Sequence, residues 1–237
     1  MPSRIEGAIA LVEPDRRPGL ALDLSAGDGQ ASELLIRRGW RVIPTELRPA
    51  AAGWVAADLR DHIPFRDATF DLVVTLEVIE HLENIPHAMR EIARVLKPGA
   101  PAIITTPNRL NVTSRIHYLL AGFYKGRRAP LPYRYGVNDG RNWNVLGLND
   151  LHWIAHSSGL QLEAIGHSRR KLRSLLYAPF LWIPVKLFSY FLYGHGSSDP
   201  AQDAINRDLY RHMTSPSVLM DENLLMRFRR IDQPRQV

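Results

Sequence analysis

The ten residues Ala21 to Gln30, ALDLSAGDGQ, constrain this chain more than any other stretch. An apolar strand carrying Leu20, Leu22 and Leu24 runs into a small-residue turn, Ser25, Ala26, Gly27, Asp28 and Gly29, and then into a helix bearing Leu34, Leu35 and Ile36. Strand, turn and helix start together form a ligand cradle. Gly27 and Gly29 admit backbone angles closed to other residues and let a ligand approach the main chain, while the helix N-terminus presents unpaired N–H groups. Asp23 is the odd residue, a carboxylate inside the apolar strand. A dinucleotide-binding turn meets pyrophosphate, which a carboxylate aimed into the site would repel. Asp23 therefore points to a ligand with a cationic end, such as an amino acid.

Around this cradle, strands and helices alternate: Leu20–Leu24, Ala31–Arg38, Arg41–Thr45, Trp54–Ala57, Phe70–Leu76, Asn84–Leu96 and Ala102–Thr106. Such alternation means an α/β fold, a mostly parallel sheet with helices on both faces. A short helix over Ile5–Val12 precedes the first strand. The helix at Asn84 has a capping side chain, Pro86 in its first turn, Met89, Ile92, Ala93 and Leu96 on one face, and Lys97-Pro98-Gly99 as its stop. Downstream, helical spacing predicts a helix over Leu110–Gly122. A basic loop follows from Lys125 to Arg141, then a helix capped by Asn149 and ending at Gly159, and a strand over Leu160–Ile165.

Between these and the last strand lies Leu175 to Tyr193, nineteen residues with one charge. Its length approaches a bilayer span, but Pro179, Pro184 and Lys186 interrupt it and the chain must return to complete the sheet. The expectation is two short helices, packed against the domain by preference, or else lying on a membrane surface or walling a pocket for a lipid-linked acceptor. Arg169, Arg170, Lys171 and Arg173 just upstream would suit an anionic membrane.

At 237 residues the chain fits one domain. It has no cysteine, which excludes disulfides, thiol nucleophiles and cysteine-ligated metals. Residues 1–12 lack the basic start and long apolar run of a secretory signal, so a cytoplasmic protein is expected. A net charge of +6 favours acidic partners or is simply a solvated basic surface.

Asp23-Leu24-Ser25-Ala26-Gly27-Asp28-Gly29 resembles the D-x-G-x-G-x-G signature of the class I S-adenosylmethionine-dependent methyltransferases, with Ser25 at the first glycine position. IPFRDATFDLVVTLEVIEHL and REIARVLKPGAPAIITTPN resemble further blocks of that family, so the likeness runs from about Leu20 to Asn108. It implies a Rossmann-like, seven-stranded sheet with a last antiparallel strand, for which Asn223–Arg229 is the candidate. Within one domain of residues 1–237, residues 20–108 would be the cofactor core, and 109–148 and 169–221 substrate-side or membrane-facing additions. The implied cofactor is S-adenosylmethionine, with S-adenosylhomocysteine as product. Asp23 would face its amino-acid end, Gly27 admit its backbone, Glu46 take the ribose hydroxyls and Asp58 the adenine amino group. Ser25, Ala26, Gly29, Leu47, Leu59, Leu76 and Glu77 would complete that site. Serine keeps the turn small, so weakened conformational latitude is expected at Ser25, not a lost site.

Glu77, Glu80 and His81 follow directly on a strand whose carboxyl end opens onto the ligand site, and their spacing lets them converge on one helical turn. An unperturbed histidine titrates near pH 6.5, suited to removing a proton at neutral pH, so His81 leads as general base with Glu80 beside it. The alternative is a histidine that hydrogen-bonds Glu80 and packs the turn. Glu-x-x-Glu-His is also similar to the metal-binding run of small-RNA 3′-terminal 2′-O-methyltransferases. Here Leu82 and Arg141-Asn142-Trp143-Asn144 stand where two further ligands belong, so neither a metal nor nucleic acid is the expected partner. ITTPNRLNVTSRIHYLLAGFYKG and the terminal ENLLMRF are similar to bacterial methyltransferases of surface polysaccharide and lipid-linked glycan synthesis. The expected acceptor is thus a small molecule or glycan, a sugar, lipid-linked molecule or quinone, met by Arg109, Arg115, His117, Tyr118, Arg127 and Arg128. Two alternatives remain: a metal-dependent RNA 2′-O-methyltransferase, and a non-catalytic, membrane-associated protein of the same fold, the second argued against by intact Glu46 and Asp58.

Overall fold

The computed structural model describes residues 3–12, 17–49, 51–122, 124, 144–170, 172–194 and 196–231. In chain order the elements are α1 (Arg4–Ile9), β1 (Leu20–Leu24), α2 (Gln30–Arg37), β2 (Arg41–Glu46), β3 (Val55–Ala56), β4 (Leu72–Leu76), α3 (Ile85–Val95), β5 (Pro101–Pro107), α4 (Val112–Ala121), α5 (Leu148–Ser157), β6 (Leu160–Ile165), α6 (Leu172–Ser189), α7 (Pro200–Met213), α8 (Pro216–Met220) and β7 (Asn223–Arg230). A 3₁₀ turn, Ile79–His81, lies between β4 and α3.

The strands form one seven-stranded sheet in the order β3-β2-β1-β4-β5-β7-β6. All neighbours from β3 to β5 are parallel, and β7 runs antiparallel between β5 and β6. This is the expected sheet, with its reversed strand inserted one place from the edge. Successive strand residues face opposite sides, and the burial follows. Leu22, Leu24, Val73, Ala102, Ile104, Met226 and Phe228 pack with α3, α5 and α7 on one face. Ala21, Leu72, Val74, Ile103 and Leu225 pack with α1 and α2 on the other. The carboxyl ends of β1, β2, β4 and β5 share one edge, and β7 begins there, since Asn223 lies opposite Pro107.

Several boundaries depart from the sequence reading. β4 starts at Leu72 because the Asp71 carboxylate turns aside to accept from the Leu20 N–H at 3.0 Å, and Phe70 pairs with Leu96 outside the strand. β3 shrinks to two residues. The helix expected to start at Asn149 is capped at Gly147, because Asp150 reaches back to accept from the Gly147 N–H at 3.0 Å. Asn84 caps α3 as expected, accepting from the His87 N–H at 3.0 Å. The apolar segment is not two short helices: α6 is continuous through Pro179 and Pro184 and runs on as π-helical Tyr190–Gly194. Helices α7 and α8 have no counterpart in the sequence reading. The basic loop, Arg127, Arg128 and Lys171 lie outside the described residues.

One ionic network ties α3 to the segment before β4. Arg94 donates to Glu91 at 2.7 and 2.8 Å, to the Ile63 and Phe65 carbonyls at 2.9 and 2.8 Å, and to Asp67 at 2.8 Å. Glu91 also accepts from the Ile63 N–H at 2.9 Å. The Arg94 guanidinium holds the Glu91 carboxyl down at about 2, against an ordinary 4.5. A lowered folded pKa gives stability that is present above the ordinary value and is lost as pH falls through the folded one. Arg94→Ala is therefore expected to cost about 1.5–3 kcal/mol in urea unfolding at pH 7, with the gap to wild type closing as the pH approaches 2. An unchanged urea midpoint would show that the network adds nothing.

Candidate active site

The turn after β1 is held by one side chain. Thr45, fully buried in β2, donates its hydroxyl to the Asp23 carbonyl at 3.1 Å and accepts from the Ser25 N–H at 3.4 Å, and its carbonyl accepts from the Ala26 N–H at 2.9 Å. The chain then passes through left-handed angles at Ser25 (φ 56°), Gly27 (φ 61°) and Gly29 (φ 82°). Ser25 thus keeps the conformation expected of the family's first glycine, with the strain a Cβ brings there. Gly27 has open space where a Cβ would stand, whereas one on Gly29 would come within 3.3 Å of the Trp54 ring. The cradle is open over Gly27 and closed by Trp54 beside Gly29.

The expected cofactor carboxylates surround this turn. Glu46, ending β2, accepts from the Gly27 N–H at 2.8 Å and the Leu47 N–H at 3.1 Å. Asp23 faces α2, is buried, and accepts from the Ser32 hydroxyl at 2.6 Å. Burial pushes the Asp23 carboxyl up to about 6, against the pull of the Ser32 hydrogen bond, and the charges of Glu46 and Asp28 push the same way. Three carboxylates around an open glycine are short of a cation, and a ligand ammonium would supply one. The donor set fits an S-adenosylmethionine amino-acid end at Asp23 and ribose hydroxyls at Glu46. Asp58 is otherwise engaged: Arg60 grips it with two nitrogens, at 2.6 to 3.0 Å, and holds its carboxyl below the usual range. Leu59 points into the core, Leu47 is exposed, and Leu76 packs beside α1 and α2 at the end of β4.

The second cluster stands on the neighbouring strand ends. Glu77, at φ 59°, turns the chain sharply after β4. Its carboxylate accepts from the Thr105 hydroxyl at 3.0 Å and the Asn223 amide at 2.8 Å, and pairs with Arg4 at 3.4 Å. Glu80 is buried and accepts from the Thr106 hydroxyl at 3.2 Å. Burial first, and then the charge of Glu77, push the Glu80 carboxyl up to about 7. Burial raises Glu77 as well, while Arg4 opposes it. His81 follows in the same 3₁₀ turn, partly exposed at the sheet edge. Asn144 braces this turn, donating its N–H to the Glu80 carbonyl at 3.0 Å and its amide to the Leu82 carbonyl at 2.8 Å. Among the described residues no group of three His, Asp or Glu side chains is arranged to hold a metal ion.

The acceptor-side residues divide. Arg109 is a strut, donating to Asp150 at 2.5 Å and the Val145 carbonyl at 2.9 Å with its guanidinium over Tyr124. Arg115 donates Nε to the Leu110 carbonyl at 2.6 Å, and one terminal nitrogen is buried without a hydrogen-bond partner. Burial pushes its pKa down. Tyr118 stacks on Tyr124 at 4.5 Å, and His117 lies one position before it on α4. Sequence reasoning missed Ser32, Thr45, Trp54, Thr105, Thr106, Asn223 and Arg4. The threonine pair just before Pro107-Asn108 and Asn223 of ENLLMRF lie in segments with a family likeness; the others are marked by contacts made in the folded chain.

Residues 1–165 match the profile of a family described as a methyltransferase domain. The chain belongs to that family, the class I S-adenosylmethionine-dependent methyltransferases. It is 32% identical over 117 residues to norajmaline N-methyltransferase of Rauvolfia serpentina, across 43% of this chain and 40% of that one. With the ubiquinone biosynthesis O-methyltransferase of Caulobacter vibrioides it shares 34% over 102 residues, across 37% of this chain and 40% of the relative. The first relatives matched are covered over only 19, 40 and 42% of their own lengths. The fold is also that of the Burkholderia thailandensis 1,6-didemethyltoxoflavin N1-methyltransferase solved with S-adenosylhomocysteine, at TM-score 0.51 and 14% identity over 91% of this chain and 72% of that one. The cofactor of this family is S-adenosylmethionine.

Two outcomes test this geometry. Ser25→Gly relieves a left-handed Cβ and is expected to raise stability by up to about 1 kcal/mol, read as a higher urea midpoint; a lower midpoint would show that the serine side chain supports the turn. Glu80 has a raised folded pKa, so its stabilising contribution is complete below its ordinary 4.5 and is lost as pH rises through about 7. Glu80→Gln should thus be more stable than wild type at pH 8 and lose that advantage at pH 5, in thermal melts at both pH values. Parallel pH profiles would contradict the raised value.

Proposed function

We propose that this protein methylates an oxygen on a small acceptor, a sugar, lipid-linked glycan, quinone or similar molecule. The observation that carries the reading is the pairing of two unlike sites on one sheet edge: an open glycine cradle ringed by carboxylates, and beside it a buried carboxylate poised near neutrality. S-adenosylmethionine, when bound, supplies a methyl group already activated on a sulfonium, so the protein must hold the acceptor in line and take one proton. Positioning alone contributes on the order of 7–11 kcal/mol. Asp23 would hold the amino-acid end of this cofactor and Glu46 its ribose hydroxyls. His81, at the lip of the site, receives the acceptor's proton. Glu80, in the same 3₁₀ turn, titrates at about 7 and adds a buried carboxylate to that side of the site.

Likeness to a ubiquinone biosynthesis O-methyltransferase supports an oxygen acceptor of quinone type. Arg115, with one terminal nitrogen unpaired, supports an acceptor carrying negative charge near α4. The glycan reading rests on the downstream sequence likeness.

Isothermal titration with S-adenosylmethionine is expected to show binding that tightens as pH rises through about 6, where Asp23 ionises, and that weakens at least tenfold in Asp23→Asn. A flat profile with unchanged affinity in the variant would remove Asp23 from the ligand. His81→Ala is expected to keep that affinity and lose on the order of 10²–10⁴ in turnover, measured as labelled methyl transfer into host extract separated into organic-soluble, glycan, RNA and small-molecule fractions. Label in the organic or glycan fraction that survives EDTA supports the proposal. Label in RNA that EDTA abolishes overturns it.

A further inference from the structure

Helix α6 is apolar on every side and has only one side covered. Ser174, Ala178, Leu181, Val185 and Ser189 recur at helical spacing and form the stripe that meets the domain. Leu181 and Val185 pack there with Val112, Leu219 and Met220 of α4 and α8, and the Thr113 and Ser174 hydroxyls lie 3.0 Å apart. The opposite face is left to solvent: Phe180 is 77% exposed, Ile183 74% and Phe188 70%. Leu119 and Leu120 at the end of α4, 82% and 79% exposed, add to the apolar surface of this helix pair. An apolar surface of this kind on an otherwise soluble fold marks a place where something else binds.

The occupant follows from charge and from how the helix is held. From Leu172 to Gly194 there is no acidic side chain, while Arg173 is exposed at the N-terminal end and Lys186 lies over the Trp182 ring. A second copy docking here face to face would bring like charges together with no partner for either. Lipid phosphates supply the countercharge, and the long Lys186 stem can lift its ammonium to them. Tyr177, Trp182 and Tyr190 are the side chains that settle at a membrane boundary. Both ends of α6 are fixed to the same domain, through the Arg170–Asp221 bridge at one and the Tyr190 ring, 6.2 Å from Tyr210 of α7, at the other. Twenty-three helical residues are long enough to cross a bilayer, but a helix tethered at both ends along one surface lies in a leaflet instead of spanning it.

We infer that α6, with Leu119 and Leu120 of α4, docks this protein on an anionic membrane surface, its outer face sunk among the acyl chains and its basic residues among the phosphates. This goes beyond the methyl-transfer reading, and its test uses no activity.

The full chain would be sedimented with vesicles of phosphatidylcholine alone and of equimolar phosphatidylcholine and phosphatidylglycerol. Binding is expected to the second, to weaken with salt, and to fall at least about tenfold in a Phe180→Asp, Ile183→Asp double variant, whose S-adenosylmethionine titration checks that the cofactor site is still folded. Should that variant misfold, the wild type decides: brominated acyl chains should quench tryptophan fluorescence, and Trp182→Phe should remove most of the quenching. Failure to bind anionic vesicles, equal binding to both compositions, or quenching untouched by Trp182→Phe would overturn the inference. So would a concentration-dependent dimer, in sedimentation equilibrium, that the double variant abolishes in a protein indifferent to vesicles.

Discussion

The Thr45 hydroxyl and carbonyl decide the shape of the ligand cradle. Three main-chain groups at the end of β1 and in the turn bond to this one buried residue of β2. A turn with left-handed angles at Ser25, Gly27 and Gly29 has no ladder of its own to stabilise it. Anchoring it to the adjacent strand converts a flexible loop into a fixed ring of N–H groups, and places the Gly27 N–H against Glu46. The parallel pairing of β1 with β2 is therefore a structural requirement of the site, since a register slip would carry Thr45 away from the turn and Glu46 away from the glycine.

The fold holds two kinds of carboxylate, separated by their surroundings. Glu91 and Asp58, each held by an arginine, are kept charged, and Glu91 ties α3 to the segment before β4. Asp23 and Glu80 are buried with no arginine gripping them, their side-chain donors being the Ser32 and Thr106 hydroxyls, and their pKa values rise toward neutrality. A hydroxyl satisfies one lone pair but adds no positive charge, so desolvation prevails. Such groups weaken the empty protein at neutral pH, and a cationic ligand or a passing proton relieves them. Glu77 is intermediate, buried yet partnered by Arg4 and Asn223, and is best suited to holding the turn that presents Glu80 and His81.

Much of this was legible along the chain. The glycine turn, the strand-helix alternation, the Asn84 cap and the reversed last strand depend on short-range rules of φ, periodicity and capping, and each stands where the residues indicate. That Asp23, Glu46 and Gly27 lie around one turn follows from the same rules, because their spacing along consecutive strands is set by the parallel sheet. Asp58 was readable as a position but not as a state, since Arg60 two residues on engages it through rotamers that no spacing rule predicts. Arg109 looked like an acceptor contact and is instead bound to Asp150, forty-one residues away.

What the tertiary structure alone decided is where unlike segments meet. Glu77 and Asn223 are 146 residues apart and bond because an antiparallel strand was inserted beside β5. The fate of the apolar segment was equally hidden: hydrophobicity states that a helix will leave water, not whether protein or lipid will receive it. Its composition determined that α6 seeks an apolar environment. Only the packed fold, which packs a single stripe of α6 against α4 and α8 and holds both helix ends on one side, determined which face is covered and which stays exposed.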